Sequence, residues 1–266
     1  MTVLIRADEV RALLASLPGI VDEFEINPRD GIYGWGTRHI VIARKVTEYK
    51  FSSQDELYGL FVRIIENINP AVQTELQSLR DLCDTEFGIG RLGDADSRKR
   101  LYRKLIDIAP GERIPWHRLI RELLDQNALE EAEYLIRDAL EAVGADAPLD
   151  RYRVRLLLAR AEHTLGIAAS DRIALLRKAY EVAQQNVDRH KMDRHSYRTL
   201  CEVAVKLVEK GEAHQLLDEA IDRMRKGAEL ILDPEVDREL RRFTEIRGRL
   251  SLASPKLGRP DARRPR

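Results

Sequence analysis

Gly88-Ile89-Gly90-Arg91-Leu92-Gly93 spells GxGxxG, a pattern that binds a dinucleotide pyrophosphate on backbone amides when it joins a strand to a helix. The preceding Leu82-Cys83-Asp84-Thr85-Glu86 reads as helical or polar rather than as a buried strand. A turn between helices is therefore expected there. No GxxxxGK followed by Ser or Thr occurs, so that phosphate cradle is not encoded. The histidines are His39, His117, His163, His190, His195 and His214. His190 and His195 are five apart, which is not the i, i+4 spacing that sets two metal ligands on one helix face, and no Cys lies near them. His39 follows Thr37, where a helix N-terminus would suit an anion, but local packing or capping is the simpler role. Ser196 neighbours His195, yet adjacent residues on a helix point apart, so the base is poorly placed to activate the hydroxyl. Cys201 falls at a helix-packing position, as a small core residue would. The carboxylate pairs Asp94/Asp96 and Glu130/Glu131 suit helix caps and first turns better than acid–base work. No constellation names a reaction, so the expectation is a non-catalytic chain with no cofactor and no metal.

The elements that position these residues are mostly helical. Asp8 to Leu17 fits a short helix stopped by Pro18-Gly19. Glu23-Phe24-Glu25-Ile26 alternates like a strand, Asn27-Pro28-Arg29-Asp30-Gly31 signals a turn, and Ile32-Tyr33-Gly34-Trp35 supplies the returning strand. Thr37 can cap a helix from about Arg38 to Tyr49. Helix, hairpin and helix together suit a small α+β, winged-helix-like unit over residues 1–50. A helical linker region is expected over 51–110. Leu57, Leu60, Phe61, Ile64 and Ile65 keep helical spacing, Asn69-Pro70 breaks it, and Val72, Leu76, Leu79, Leu82 and Cys83 resume it. Ser97 can open the next helix, which Pro110-Gly111 ends.

From residue 111 to 251 the apolar pattern repeats. Trp116, Leu119, Leu123, Ala132, Ile136 and Ala139 have the same internal offsets as Tyr197, Leu200, Ala204, Ala213, Leu217 and Ala220. Between them Leu156, Ala159, Leu176 and Ala179 fit a degenerate copy, with Arg172 at a small-residue position. Paired antiparallel helices approach closely only where small residues meet, which is the role expected of Ala132, Ala139, Ala213 and Ala220. One pair cannot cover its apolar face, so such pairs stack into an α-solenoid. Pro234 suits the first turn of a last, charged helix. Residues 252–266 read as a disordered basic tail: beyond Ser254 the net charge is +4, with three prolines.

The repeat resembles a tetratricopeptide repeat, irregular and stretched to about 40 residues from the usual 34 or so. The small residue of that family's eighth position is Ile120 in the first copy and Cys201 in the last, so the match is TPR-like rather than strict. A second resemblance covers most of the chain. Trp35-Gly36-Thr37-Arg38-His39-Ile40-Val41-Ile42-Ala43, Arg91-Leu92-Gly93-Asp94 and Ile114-Pro115-Trp116-His117-Arg118-Leu119-Ile120 resemble the region after the nucleotide-binding core in bacterial STAND-type P-loop NTPases. Those proteins use helical repeats as sensor arms, often in antiphage defence. The resemblance implies a sensor and linker part whose partner is a P-loop NTPase or an effector module.

Composition agrees with a recognition scaffold. The 266 residues carry 45 Lys plus Arg against 45 Asp plus Glu, which argues against a dominant polyanion-binding role. With 34% charged residues, 6% aromatics and 15 glycines, exposed helices laced with salt bridges are expected. Two cysteines without a CxxC argue against a disulfide-stapled secreted fold. No apolar run reaches the ~18 residues a membrane span needs, and early charges at Arg6, Asp8 and Glu9 disfavour a signal peptide, so a cytoplasmic location is expected. The expected ligand is a protein or peptide held in a concave groove of first helices. Candidate groove residues are His117, Arg121, Arg155, Arg198 and Lys206, contacting carboxylates or backbone carbonyls. Nucleic acid is the alternative ligand, through the winged-helix-like unit, the tail and the clusters Arg151/Arg153/Arg155/Arg160 and Arg238/Arg241/Arg242. Interleaved with apolar residues, those arginines read first as solvated faces or ion-pair partners.

Overall fold

The computed structural model describes residues 7–15, 21–27, 32–37 and 53–253, together with 29, 49 and 51. The protein is mainly helical, with one two-stranded sheet among the described residues. It divides into two compact units, 1–115 and 116–266.

In the first unit a short helix, α1 (Ala7–Leu14), precedes an antiparallel hairpin of β1 (Val21–Asn27) and β2 (Ile32–Thr37). Glu23 lies opposite Trp35 and Glu25 opposite Tyr33, and the register shifts between Glu25 and Asn27, just ahead of the expected turn. Arg11 Nε donates to Glu23 2.8 Å away, tying helix to strand. The helix expected over 38–49, with Thr37 and His39 at its start, lies outside the described residues, as does the tail beyond Ala253.

Next come α2 (Gln54–Asn67) and α3 (Gln73–Leu82), separated at Asn69-Pro70 as the spacing required. Ser53 and Glu56 close α2 with a reciprocal capping box: the Ser53 hydroxyl accepts the Glu56 amide at 3.1 Å. The glycine run then folds back on α3. A Cβ at Gly88 would lie 2.2 Å from the Leu82 carbonyl oxygen, and one at Gly90 would lie 2.4 Å from Thr85 Cα. Only glycine permits that approach. The helix α4 (Ala95–Ile108) starts two residues before Ser97, because Asp94 rather than Ser97 is its cap. The Asp94 carboxylate accepts the Asp96 and Ser97 amides and is held below the usual carboxylate range, first by its hydrogen bonds with Ser97. α4 packs on α2, and Leu57, Phe61, Ile65, Leu101, Tyr102 and Leu105 are buried.

Beyond α5 (Arg113–Asp125), the second unit runs through α6 (Leu129–Val143), α7 (Ala147–His163), α8 (Ala169–Arg189), α9 (Arg194–Glu209), α10 (Gln215–Ile231) and α11 (Pro234–Ala253). From α6 onward each helix packs on the next, and α9 also packs on α7 and on α11. The starts of α5, α7 and α9, at 113, 147 and 194, are unevenly spaced. Leu156 therefore sits mid-helix, not at the first-turn position that Trp116 and Tyr197 share. One buried cluster runs through α7–α11, including Leu176, Tyr180, Leu200, Leu207, Leu217 and Phe243. Each such large side chain contributes about 1.5–3 kcal/mol by leaving water.

Three of the four alanines expected at helix contacts are buried. Ala132, Ala139 and Ala220 are fully buried, as are Trp116, Leu119, Ile136, Tyr197, Leu200 and Leu217 or nearly so. Ala213 is a correction: it is exposed, in the turn before α10 begins at Gln215. The close approach is made at Gly227 instead, where an added Cβ would meet the Tyr197 ring at 2.5 Å. The Tyr197 ring lies flat against the backbone of α10, and its hydroxyl donates to the Lys191 carbonyl at 3.0 Å.

Candidate recognition groove

Three of the helices in the second unit start on an aspartate, and each aspartate meets a basic side chain from a helix further back in the chain. Asp146 caps α7 by accepting the Leu149 amide at 2.9 Å, and His117 of α5 approaches its other oxygen at 3.0 Å. Asp193 caps α9, accepting from the Ser196 amide and hydroxyl, and pairs with Arg151 of α7. Asp233 accepts the Glu235 amide at the start of α11 and pairs with Arg194 of α9 at 2.6 Å. The same short acid thus satisfies a bare helix amide and lies beside a neighbouring basic side chain, a guanidinium at Asp193 and Asp233 and an imidazole at Asp146. Burial would raise the Asp193 carboxyl, but the Ser196 hydrogen bond and the Arg151 guanidinium outweigh it and hold it below its ordinary range.

Asp150, one turn into α7, lies deeper. Its side chain is 0% exposed, yet it is surrounded by Arg189 at 2.6 Å, His190 at 2.9 Å and Arg153 at 3.4 Å. This joins the start of α7 to the end of α8. Sequence reasoning missed it, because an acid just after Pro148 reads as an ordinary first-turn charge.

Of the five candidate ligand residues, the structure brings two together. Arg155 of α7 and Lys206 of α9 line one groove of about 280 Å³, with Leu158 and Glu162 of α7, Thr199 of α9, and Leu124 from α5. Arg155 pairs with Asp125 at 2.8 Å, and Lys206 with Glu162. Arg121 does not line the groove and lies 3.6 Å from the same Asp125. His117 is half-buried against the Tyr152 ring, with centroids 6.2 Å apart, as well as on Asp146. Arg198 faces elsewhere: it lines a separate cavity of about 140 Å³ with His195, Met224 and Glu239, and pairs with Glu202 at 2.8 Å. Arg121, Arg155, Arg198 and Lys206 therefore pair with carboxylates of their own chain, and His117 lies beside one. Tyr152 lies between two of these residues, with its ring against His117 and 5.9 Å below the Arg155 guanidinium. Burial pushes its hydroxyl up, opposed by Arg155, Arg121, Arg151 and Arg118.

The residues screened for chemistry take structural roles. In the glycine run the amides of Gly88 and Gly90 both donate to the Asp84 carbonyl, and that of Gly93 donates to Gln54. A pyrophosphate would find those donors already engaged. Ser196 is 1% exposed and donates to Asp193 at 2.6 Å. Cys201 is fully buried, and burial pushes its thiol far up, so it stays protonated. Among the described residues no group of three or more His, Cys, Asp or Glu could hold a metal ion, and no helix is long and apolar enough to cross a membrane.

No family model matches the chain, and no curated protein matches it.

Proposed function

We propose that the chain is a non-catalytic scaffold for recognising a protein or peptide, built as a TPR-like stack of helix pairs behind a small winged-helix-like unit. The observation that carries this reading is the groove in which α5, α7 and α9, alternate helices, each place side chains. Alternate helices facing one ligand is how stacked pairs bind extended or helical peptides. The recurring contacts between an aspartate and a basic side chain at the starts of α7, α9 and α11 support the stacking. The resemblance to the sensor region of STAND-type NTPases makes a P-loop NTPase or an effector module the partner to test first. A cytoplasmic site of action follows from the same reading.

A photo-crosslinking amino acid placed at Thr199, in the native host, tests it. A discrete protein adduct, lost when the crosslinker is moved to exposed Leu252, is the expected result. Hydrolysis of ATP by the purified chain alone would overturn the non-catalytic reading. Binding to DNA or RNA that falls steeply with salt would overturn the choice of ligand.

A further inference from the structure

A second, roomier cleft lies away from that groove. It has a volume of about 540 Å³ and is framed by α6, α7 and α8. α6 and α8 both pack on α7, and neither is among the other's closely packed neighbours, so α7 floors the opening between them. Each wall presents a helical stripe. Half-buried Leu140 of α6, Leu157 of α7 and Val182 of α8 supply apolar surface, with Ile136 and Leu156 buried beneath them. Tyr134 stands at the edge, 59% exposed. On α7 the stripe 153, 156, 157, 160 is turned by roughly half a revolution from the groove stripe 155, 158, 159, 162, since successive residues are about 100° apart. The two sites use opposite faces of one helix.

The polar lining is basic: Arg137, Arg153, Arg160 and Lys178 against Glu133 alone. Two of these cations are neutralised nearby, Arg160 by Glu133 at 2.6 Å and Arg137, more loosely, by Asp138 at 3.7 Å. Arg153 is not, because its acid, Asp150, is shared with Arg189 and His190. Lys178 has no carboxylate partner among the described residues. An apolar floor with a positive rim, open between two helices, has the form of a seat for a third helix.

We infer that this cleft docks an amphipathic helix of a partner protein, apolar on one face and flanked by carboxylates. The inference rests on the recognition reading but names a different site and a charge. The chain's own basic tail has the wrong sign to be the occupant: five cations against one acid follow Ser254. The apolar stripe supplies affinity, and Lys178 with Arg153 selects acidic partners over basic ones.

The test uses the full chain and two labelled synthetic peptides of about 15 residues, roughly four turns. Both carry Leu at i, i+3, i+4 and i+7; one is flanked by Glu, the other by Lys. Fluorescence anisotropy is expected to show the acidic peptide bound about tenfold or more tightly than the basic one. Lys178→Glu and Tyr134→Ala are each expected to weaken it by about tenfold, while Thr199→Ala in the groove leaves it unchanged. Should Lys178→Glu fail to fold by circular dichroism, Lys178→Gln gives the same ordering with a smaller change. Equal affinity for the two peptides, no binding of either, or indifference to Lys178 and Tyr134 overturns the inference. Sensitivity to Thr199→Ala alone overturns it too while leaving the recognition reading standing. That reading fails separately, if crosslinks from Thr199 yield no protein adduct.

Discussion

The aspartates at the helix starts and the cations of the α6–α8 cleft are charges of the same kind of chain in opposite circumstances. Asp146, Asp150, Asp193 and Asp233 each satisfy several donors, and Asp150 does so out of contact with water. Lys178 and Arg137 stand at an open edge, one with no acid beside it and the other only loosely paired. A charge with several short partners in a dry site holds the fold, and removing it strands those partners. A charge at a wet edge contributes little to stability and is available to a ligand. The difference separates residues that build the scaffold from residues that serve it, although both look alike in composition.

Asp150→Ala is the severest test of that contrast. It is expected to cost about 3 kcal/mol in urea unfolding, near the lower end of about 3–5 for a broken buried pair, because half-exposed Arg153 and Arg189 can turn to water. A loss under about 0.5 kcal/mol, the range of ordinary surface changes, would erase the distinction. Asp193→Ala, which removes a cap and one ion pair, should cost about 1–2 kcal/mol by the same measurement. Its pH dependence sharpens the point. The Asp193 carboxyl is held below its ordinary 3.8, so its contribution is complete above that value and is lost as pH falls through the lower, folded one. The stability gap between the parent and Asp193→Asn should therefore narrow on acidification below about pH 5; a gap that widens would mean the carboxyl is raised. Lys178→Glu, at the other extreme, should leave the melting midpoint where it is. A clear drop in that midpoint would move Lys178 into the scaffold class.

Much of the architecture was readable from local chemistry. Alternation across Asn27–Gly31 marked the hairpin, Asn69-Pro70 the break before α3, and Pro234 the start of α11. These features depend on residues within a few positions of each other. Ala213 was misplaced because an offset counted from Ala132 carries no information about a longer turn, which delays α10 to Gln215. The close approach passed to Gly227, which has no repeat signature; its meaning comes from a ring thirty residues earlier. The groove was half legible. The polar positions of α7 and α9 pointed to Arg155 and Lys206, but the acids that occupy them, Asp125 and Glu162, come from other helices. Arg198 turns towards α11 for the same reason, drawn by Glu239 at 3.6 Å. The α6–α8 cleft had no sequence signal, because it arises from where two helices are not.

The buried carboxylate of Asp150 has a consequence for how this chain chooses among its own arrangements. Rods studded with leucine and alanine can be laid against each other in several nearly equivalent alignments. Sliding α8 one turn along α7 moves Arg189 and His190 by about 5.4 Å and leaves the buried anion with only the longer contact to Arg153 of its own helix. The misaligned arrangement is thus penalised far more heavily than the correct one is rewarded. Asp150 acts as a key in a lock, excluding wrong fits rather than tightening the right one.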